Sequence, residues 1–286
     1  MKFSHLLLTA LIAAAVAYGA HHMLPSAAAD SRESTYERVM RTRELRCAYV
    51  IYPPLFAKDV NTGQFSGVMY DMVEALGKQM GIKIIWAEEV GTDNAFAGIA
   101  TGRYDAICPG FWINPERAAV ANFAKPFYYQ GVFAFGRADE TRFAAGPQAM
   151  NRPDIRFVIL EGEMSQIIAR EDYPKAQAIL LPGLSGAPSR LIDVVSGKGD
   201  VALHEMSVFE QYNAANPGKA KPLFKDALRI SGAAIAFPKD DFDLIHMINT
   251  NIDVMVNTGI VDRILDKYDP EGREYLRLAT PYKLPE

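Results

Sequence analysis

Strand-like and helix-like segments alternate along this chain in two successive rounds, and no other feature narrows its possible folds as much. In the first round "LRCAYVIY" is almost continuously apolar, as a strand covered on both faces would be. "GVMYDMVEALGKQMG" follows, with apolar residues at Val68, Met69, Met72, Val73, Leu76 and Met80; that is helical spacing, closed by Gly81. "IKIIWA", a short helix in "NAFAGIATG" and the strand "YDAIC" complete the round. After the extended "FYYQGVFAFGR", the strands "RFVIL", "AQAILL" and "DVALH" alternate with the helices "EMSQIIARE" and "SRLIDVVSGKG". "GAAIAFPKD" reads as a returning strand, two long helical patterns follow, and "TPYKLPE" reads as irregular. A β/α rhythm that runs twice predicts an α/β protein of two lobes, with the segments at 130–137 and 230–237 as paired crossings between them. Strand ends and helix starts then converge on the cleft, which is where a ligand would sit.

The N-terminus predicts export. Lys2, the apolar run Leu6 to Ala20 and the small-residue stretch "SAAAD" form a signal peptide over residues 1–29, cut after Ala29. The apolar run is shorter than the roughly 20 residues of a membrane span, and no Cys follows it to carry a lipid anchor. The mature chain is expected to be exported and soluble. Those 29 residues hold one Lys and no acid, so the mature chain carries one positive charge fewer than the full chain's net −4. A mildly acidic chain excludes nucleic acid or an anionic membrane as the main partner.

In an oxidising compartment Cys47 and Cys108 invite a disulfide, yet each lies in a strand where Cys is also simply a small buried hydrophobe. The sequence is compatible with either state. Of five histidines only His204 and His246 lie beyond the signal region. With no CxxC pair, no His/Cys cluster and no nucleophile constellation, neither a metal, a cofactor nor an enzyme is expected.

One local pattern carries chemistry. In "GFWINPERAAVANF", Asn114 reads as a helix N-cap and Pro115 as its first residue, because Asn accepts orphan N–H groups and Pro has none to lose. Arg117 then falls in the first turn, where a cation opposes the helix dipole. An exposed surface helix is the plain explanation. The chemical one is that helix N-terminus and guanidinium together face an anion such as a carboxylate. The order strand, Gly110, Asn114, Pro115, Arg117 favours the second.

The stretch "TGRYDAICPGFWINPERAAVANFAKPFYYQG", with "LRCAYVIYPPL", "GQFSGVMYDMVEAL", "SGKGDVALHE" and "DLIHMINTNIDVMVNTGIVDRILDKY", resembles the bacterial extracellular solute-binding proteins of family 3. The pieces occur in family order from about Glu44 to Tyr268. The resemblance implies the type II periplasmic binding protein fold, with residues 30–135 plus 236–286 as a discontinuous lobe 1 and 136–235 as lobe 2. It further implies a small amino-acid-like ligand, a monomer, and the membrane subunits of an ABC importer as partner.

By the same resemblance Arg117 clamps the ligand carboxylate, Tyr52 of "YPP" stacks over the ligand, and Glu205, five residues after Asp200, takes its ammonium. The turn from Gly162 to Ser165 presents N–H groups and a hydroxyl to the carboxylate. Departures from the family pattern are Trp112 in place of a Ser or Thr, Asn114 in place of Thr, Glu163 and Met164 in place of hydroxyl residues, and Thr92 in place of an aromatic. They suggest a larger or more cationic ligand, with the Trp112 indole available for cation–π contact. Phe111, Phe127, Tyr128 and Tyr129 read mainly as core and hinge packing. The expected ligand-binding set is thus Arg117, Glu205, Tyr52, Trp112, Gly110, Asn114, Glu163 and Ser165. The alternatives are a cyclohexadienyl-dehydratase-like enzyme, for which "INPER" is a matching phrase but Val208 stands where an acid is needed, and a sensory or adaptor protein.

Overall fold

A computed structural model describes residues 33–277; the expected signal peptide and the irregular tail lie outside them. Helix α1 (Thr35–Thr42) opens the described chain, its start fixed by a capping box between Ser34 and Glu37. The first round comprises β1 (Glu44–Tyr49), the small pair β2 (Ala57–Lys58) and β3 (Phe65–Ser66), α2 (Val68–Met80), β4 (Lys83–Glu89), α3 (Ala95–Ala100), β5 (Ala106–Trp112), α4 (Pro115–Val120) and β6 (Asn122–Phe123). Strand β7 (Tyr128–Arg137) leads into the second: β8 (Arg156–Leu160), α5 (Met164–Asp172), β9 (Gln177–Leu181), α6 (Ser189–Val195), β10 (Val201–His204), α7 (Met206–Ala215) and β11 (Ala220–Pro222). The chain returns through β12 (Arg229–Phe237) and ends in α8 (Phe242–Asn257), α9 (Ile260–Tyr268) and β13 (Tyr275–Leu276). Helices α1 and α7 and the shortest strands were not among the elements expected from periodicity.

The strands run β4-β1-β5-β12-β7-β10-β8-β9 in one sheet. Each round builds the same parallel triplet, β1 between β4 and β5 and β8 between β9 and β10. The two extended crossings pair with each other, Arg229–Ala233 running antiparallel to Tyr128–Val132, and so form the middle of the sheet. Each half also repeats one polar device. Asp105 accepts the backbone N–H of Arg46 at 2.6 Å and binds its guanidinium; Asp200 accepts the N–H of Arg156 at 3.0 Å and binds its guanidinium. A buried carboxylate at the start of the third strand is thereby satisfied in each half, which removes the penalty of leaving it unpaired.

The apolar stripe of α2 is buried over Val68, Met69, Met72, Val73 and Leu76, and Gly81 ends the helix in the left-handed conformation at φ 65°. Cys47 and Cys108, two alternatives on sequence grounds, are bridged, with Cα atoms 5.6 Å apart. The parallel pairing of β1 with β5 sets Cys47 opposite Ala106 and so brings the two thiols within reach.

Candidate ligand-binding cleft

The start of α4 is built as its sequence predicts. Asn114 adopts an extended backbone, its side chain accepts from the Arg117 N–H at 2.8 Å, and Pro115 takes the first helical position. Upstream, Gly110 has φ 76°, and a Cβ there would lie 2.9 Å from Met69 Sδ, so only glycine fits this turn. Together these place the Arg117 side chain, buried, at the mouth of the gap between the halves. Its Nη1 donates to the Trp112 carbonyl at 2.7 Å, and its Nη2 reaches across to the Gly162 carbonyl at 2.5 Å. The guanidinium lies over the Phe111 ring, 4.8 Å from its centroid. No carboxylate among the described residues comes within ion-pair distance of it. Burial consequently pushes its pKa down from 12.5 to about 10, against smaller opposing effects of Glu163 and Glu116.

A cavity of about 60 Å³ separates the halves here, lined by Val50, Tyr52, Leu55, Thr92, Pro109, Gly110, Phe111, Trp112, Arg117, Glu163, Met164 and Glu205. Several bonds cross the cleft around it. Thr92 Oγ1 donates to the Glu161 carbonyl at 2.7 Å, and Glu116 pairs with Arg170 at 2.7 Å on the rim. The approach is close enough that a Cβ on Gly162, at φ 72°, would meet the Thr92 carbonyl oxygen at 2.5 Å.

The opposite wall is a polar cluster centred on Arg190, fully buried at 1 % exposure. Arg190 Nη1 donates to Glu163 at 2.6 Å and to Ser165 Oγ at 3.0 Å. Its Nη2 donates to the Tyr52 hydroxyl at 2.7 Å, and its Nε lies 2.9 Å from His204 Nε2. Tyr52, having accepted from Arg190, donates its own proton to Glu205 Oε2 at 3.0 Å. Burial opposes the charge of Arg190, but the Glu163 and Glu205 carboxylates hold the guanidinium charged. Burial, then the Arg190 charge, depresses the His204 pKa far below its usual value, so that ring is neutral. Burial raises the Glu205 carboxyl above its usual value, with Arg190 and the Tyr52 hydrogen bond pulling the other way.

Of the eight residues expected from the sequence, six line the cavity: Tyr52, Gly110, Trp112, Arg117, Glu163 and Glu205. Asn114 and Ser165 lie behind it. Asn114 holds the backbone of Arg117, and Ser165 receives Arg190 and the Leu160 N–H. Tyr52 spends its hydroxyl on a bond across the cleft. Trp112 packs into the main apolar core at 5 % exposure and also lines the cavity. The Arg117 guanidinium lies over Phe111, which sequence reasoning left to packing, and 5.7 Å from the Phe96 ring centroid. Arg190 was missed altogether, and His204 was counted among the histidines but given no place in the site. The signal for Arg190 was the one that exposed Arg117, a cation in the first turn of a helix, here in "SRLIDVV".

The sequence profile of the bacterial extracellular solute-binding proteins, family 3, matches residues 45–271. The chain belongs to that family. It is 26% identical over 183 residues to the cyclohexadienyl dehydratase of Pseudomonas aeruginosa, a match covering 63% of this chain and 66% of that protein. It is 24% identical over 227 residues to ABC transporter arginine-binding protein 1 of Escherichia coli, covering 77% and 88%. Among solved structures, the ancestral amino acid-binding protein AncCDT-1, a precursor of cyclohexadienyl dehydratase, superposes with a TM-score of 0.71 at 25% identity, over 82% of this chain and 99% of that one. This family member therefore has the two-lobed α/β fold expected of it, with solute binding as its general role.

Proposed function

We propose that this solute-binding protein captures a small amino-acid-like ligand in the periplasm and delivers it to the membrane subunits of an ABC importer. Arg117 carries the reading. A buried guanidinium with no carboxylate partner, facing a cavity, is costly unless an anion completes it, and its planar fork suits a carboxylate. Glu205 on the far wall supplies the complementary charge for a ligand ammonium. Residues 30–135 with 236–286 then act as one lobe and 136–235 as the other, hinged at β7 and β12. Closure follows because the ligand bonds to both lobes only when they meet. Residues 1–29 serve as the cleaved export signal, and the protein works as a monomer.

Thermal melts of the mature chain from Asp30 against amino acids, opines, polyamines, betaines and small carboxylates test the reading. At a hundred times its dissociation constant a ligand adds about 2.7 kcal/mol. A stabilising ligand with both carboxylate and amine supports the zwitterion clamp, and Glu205→Gln should weaken that ligand selectively. Stabilisation only by ligands without an acidic group refutes the role of Arg117.

A second reading is a dehydratase, favoured by one observation: Glu205 is a buried carboxyl with a raised pKa, suited to proton donation, in a chain 26% identical to cyclohexadienyl dehydratase. Val208 stands where that activity would call for a further acid. Formation of phenylpyruvate from prephenate would establish it.

A further inference from the structure

The tripeptide Glu-Met-Ser occurs twice, at Glu163–Ser165 and Glu205–Ser207, and each copy opens a helix. In both the glutamate is the N-cap with an extended backbone, φ −105° and ψ 165° in the first, φ −68° and ψ 153° in the second. Such a carboxylate ordinarily accepts from the N–H two or three residues on. Glu163 does so, taking the Ser165 N–H at 2.9 Å. Glu205 makes no cap bond. At that helix the Ser207 N–H goes at 3.0 Å to Glu274, from the distant C-terminal segment, and the Ser207 hydroxyl donates to the same carboxylate at 2.9 Å. Gln130 Nε2 on β7 anchors Glu274 from the other side at 2.8 Å. Relieved of the cap, Glu205 extends to Tyr52 and lines the cavity.

We propose that Glu274 is a positioning residue for the ligand site: by capping α7 in place of Glu205, it frees the Glu205 carboxylate to face the ligand. The tripeptide permits the folded-back form that Glu163 shows, and at the second copy Glu274 takes the N–H that this form would need. Identical tripeptides thus do different work. Both glutamates line the cavity, but one is held by its own helix and Arg190, while the other makes no cap bond and bonds Tyr52 across it. Burial and then the charge of Glu205 push the Glu274 carboxyl up to about 7, consistent with two neighbouring acids. The proposal makes ammonium selectivity depend on a residue that does not line the cavity, and it rests on Glu205 being the ammonium-binding acid.

Crystal structures of the mature chain carrying Glu274→Ala and Glu274→Gln test it, with the Glu205 carboxyl carbon followed by ¹³C NMR. In Glu274→Ala, Glu205 should fold back to within about 3.2 Å of the Ser207 N–H and leave Tyr52. In Glu274→Gln the amide oxygen still accepts that N–H, so Glu205 should stay on Tyr52, and its resonance should titrate somewhat lower than in wild type because the neighbouring acid is gone. The binding probes are L-arginine and its des-amino analogue 5-guanidinopentanoate. The preference for the amine-bearing probe should fall about five- to tenfold in the Ala variant, equivalent to one lost cap, and be restored in the Gln variant. Glu274→Met, which refills the space without an acceptor, serves if the Ala variant does not fold. Glu205 remaining on Tyr52 in the Ala or Met variant overturns the proposal, as does equal behaviour of the Gln and Ala variants. If instead Glu205→Gln leaves the preference for L-arginine unchanged, the ammonium role of Glu205 fails, while the side-chain switch in the crystals still decides the role of Glu274.

Discussion

Replacing Arg117 by Met should move stability and binding in opposite directions. In the folded protein burial lowers the guanidinium pKa from 12.5 to about 10. A folded-state pKa below the unfolded one means that the fold resists the charged form. The cost is complete at every pH below about 10 and disappears only in strong alkali, so an assay at pH 7 carries all of it. The shift corresponds to about 3 kcal/mol. Met keeps much of the volume but leaves the Trp112 and Gly162 carbonyls without their donor, which returns about 1 kcal/mol each. The ligand-free variant should thus be more stable by about 1 kcal/mol, a rise of roughly 2–4 °C in the thermal midpoint. On the proposed clamp the same change removes the partner of a ligand carboxylate, and truncating a buried charge pair costs about 2–5 kcal/mol of affinity. Urea melts without ligand, and calorimetric titration with the ligand found by thermal screening, read the two effects. A ligand-free variant less stable than wild type by more than about 1 kcal/mol would refute the claim that Arg117 is an uncompensated buried charge. Unchanged affinity would refute the clamp.

The bridge between Cys47 and Cys108 spans 61 residues, so Cys47→Ala with Cys108→Ala should lower the unfolding free energy by about 4 kcal/mol, read as the urea midpoint under oxidising conditions; an unchanged midpoint would show that the cross-link does not restrict the unfolded chain. The Glu274 carboxyl, raised from 4.5 to about 7, favours the fold while protonated, and that contribution is lost as pH rises from the lower value through the upper one, by up to about 3 kcal/mol. Glu274→Gln should flatten the pH dependence of stability between pH 5 and 8, and an identical slope in both proteins would contradict the raised value. Trp112→Ser removes an indole only 5 % exposed and should cost about 3–5 kcal/mol in a denaturant melt, whereas a near-neutral change would mean that the ring serves the cavity alone.

Part of the site was legible because its signals are local. Asn114, Pro115 and Arg117 are consecutive helix-start chemistry, and the structure shows the Asn cap, the Pro at the first position and the buried arginine they imply. Arg190 carried the same kind of signal, yet "SRLIDVV" reads equally as an amphipathic helix with a solvated arginine. Only packing against Glu163, Ser165, Tyr52 and His204 shows that this guanidinium is interior. Phe111 is buried in the core as expected, and the helix start that follows also turns Arg117 back over its ring.

By itself the sequence determined the two β/α rounds, most of their elements and the pairing of the two crossings, because hydrophobic period, glycine stops and caps act over a few residues. Tertiary structure decided what depends on residues far apart in the chain: whether the cysteines meet, which carboxylates stay unpaired, and where a side chain points once its local option is taken. The two Glu-Met-Ser starts show the physical reason. The tripeptide is the same in both, yet Glu274, 69 residues beyond Glu205 in the sequence, takes the Ser207 N–H, so only the first glutamate caps its own helix.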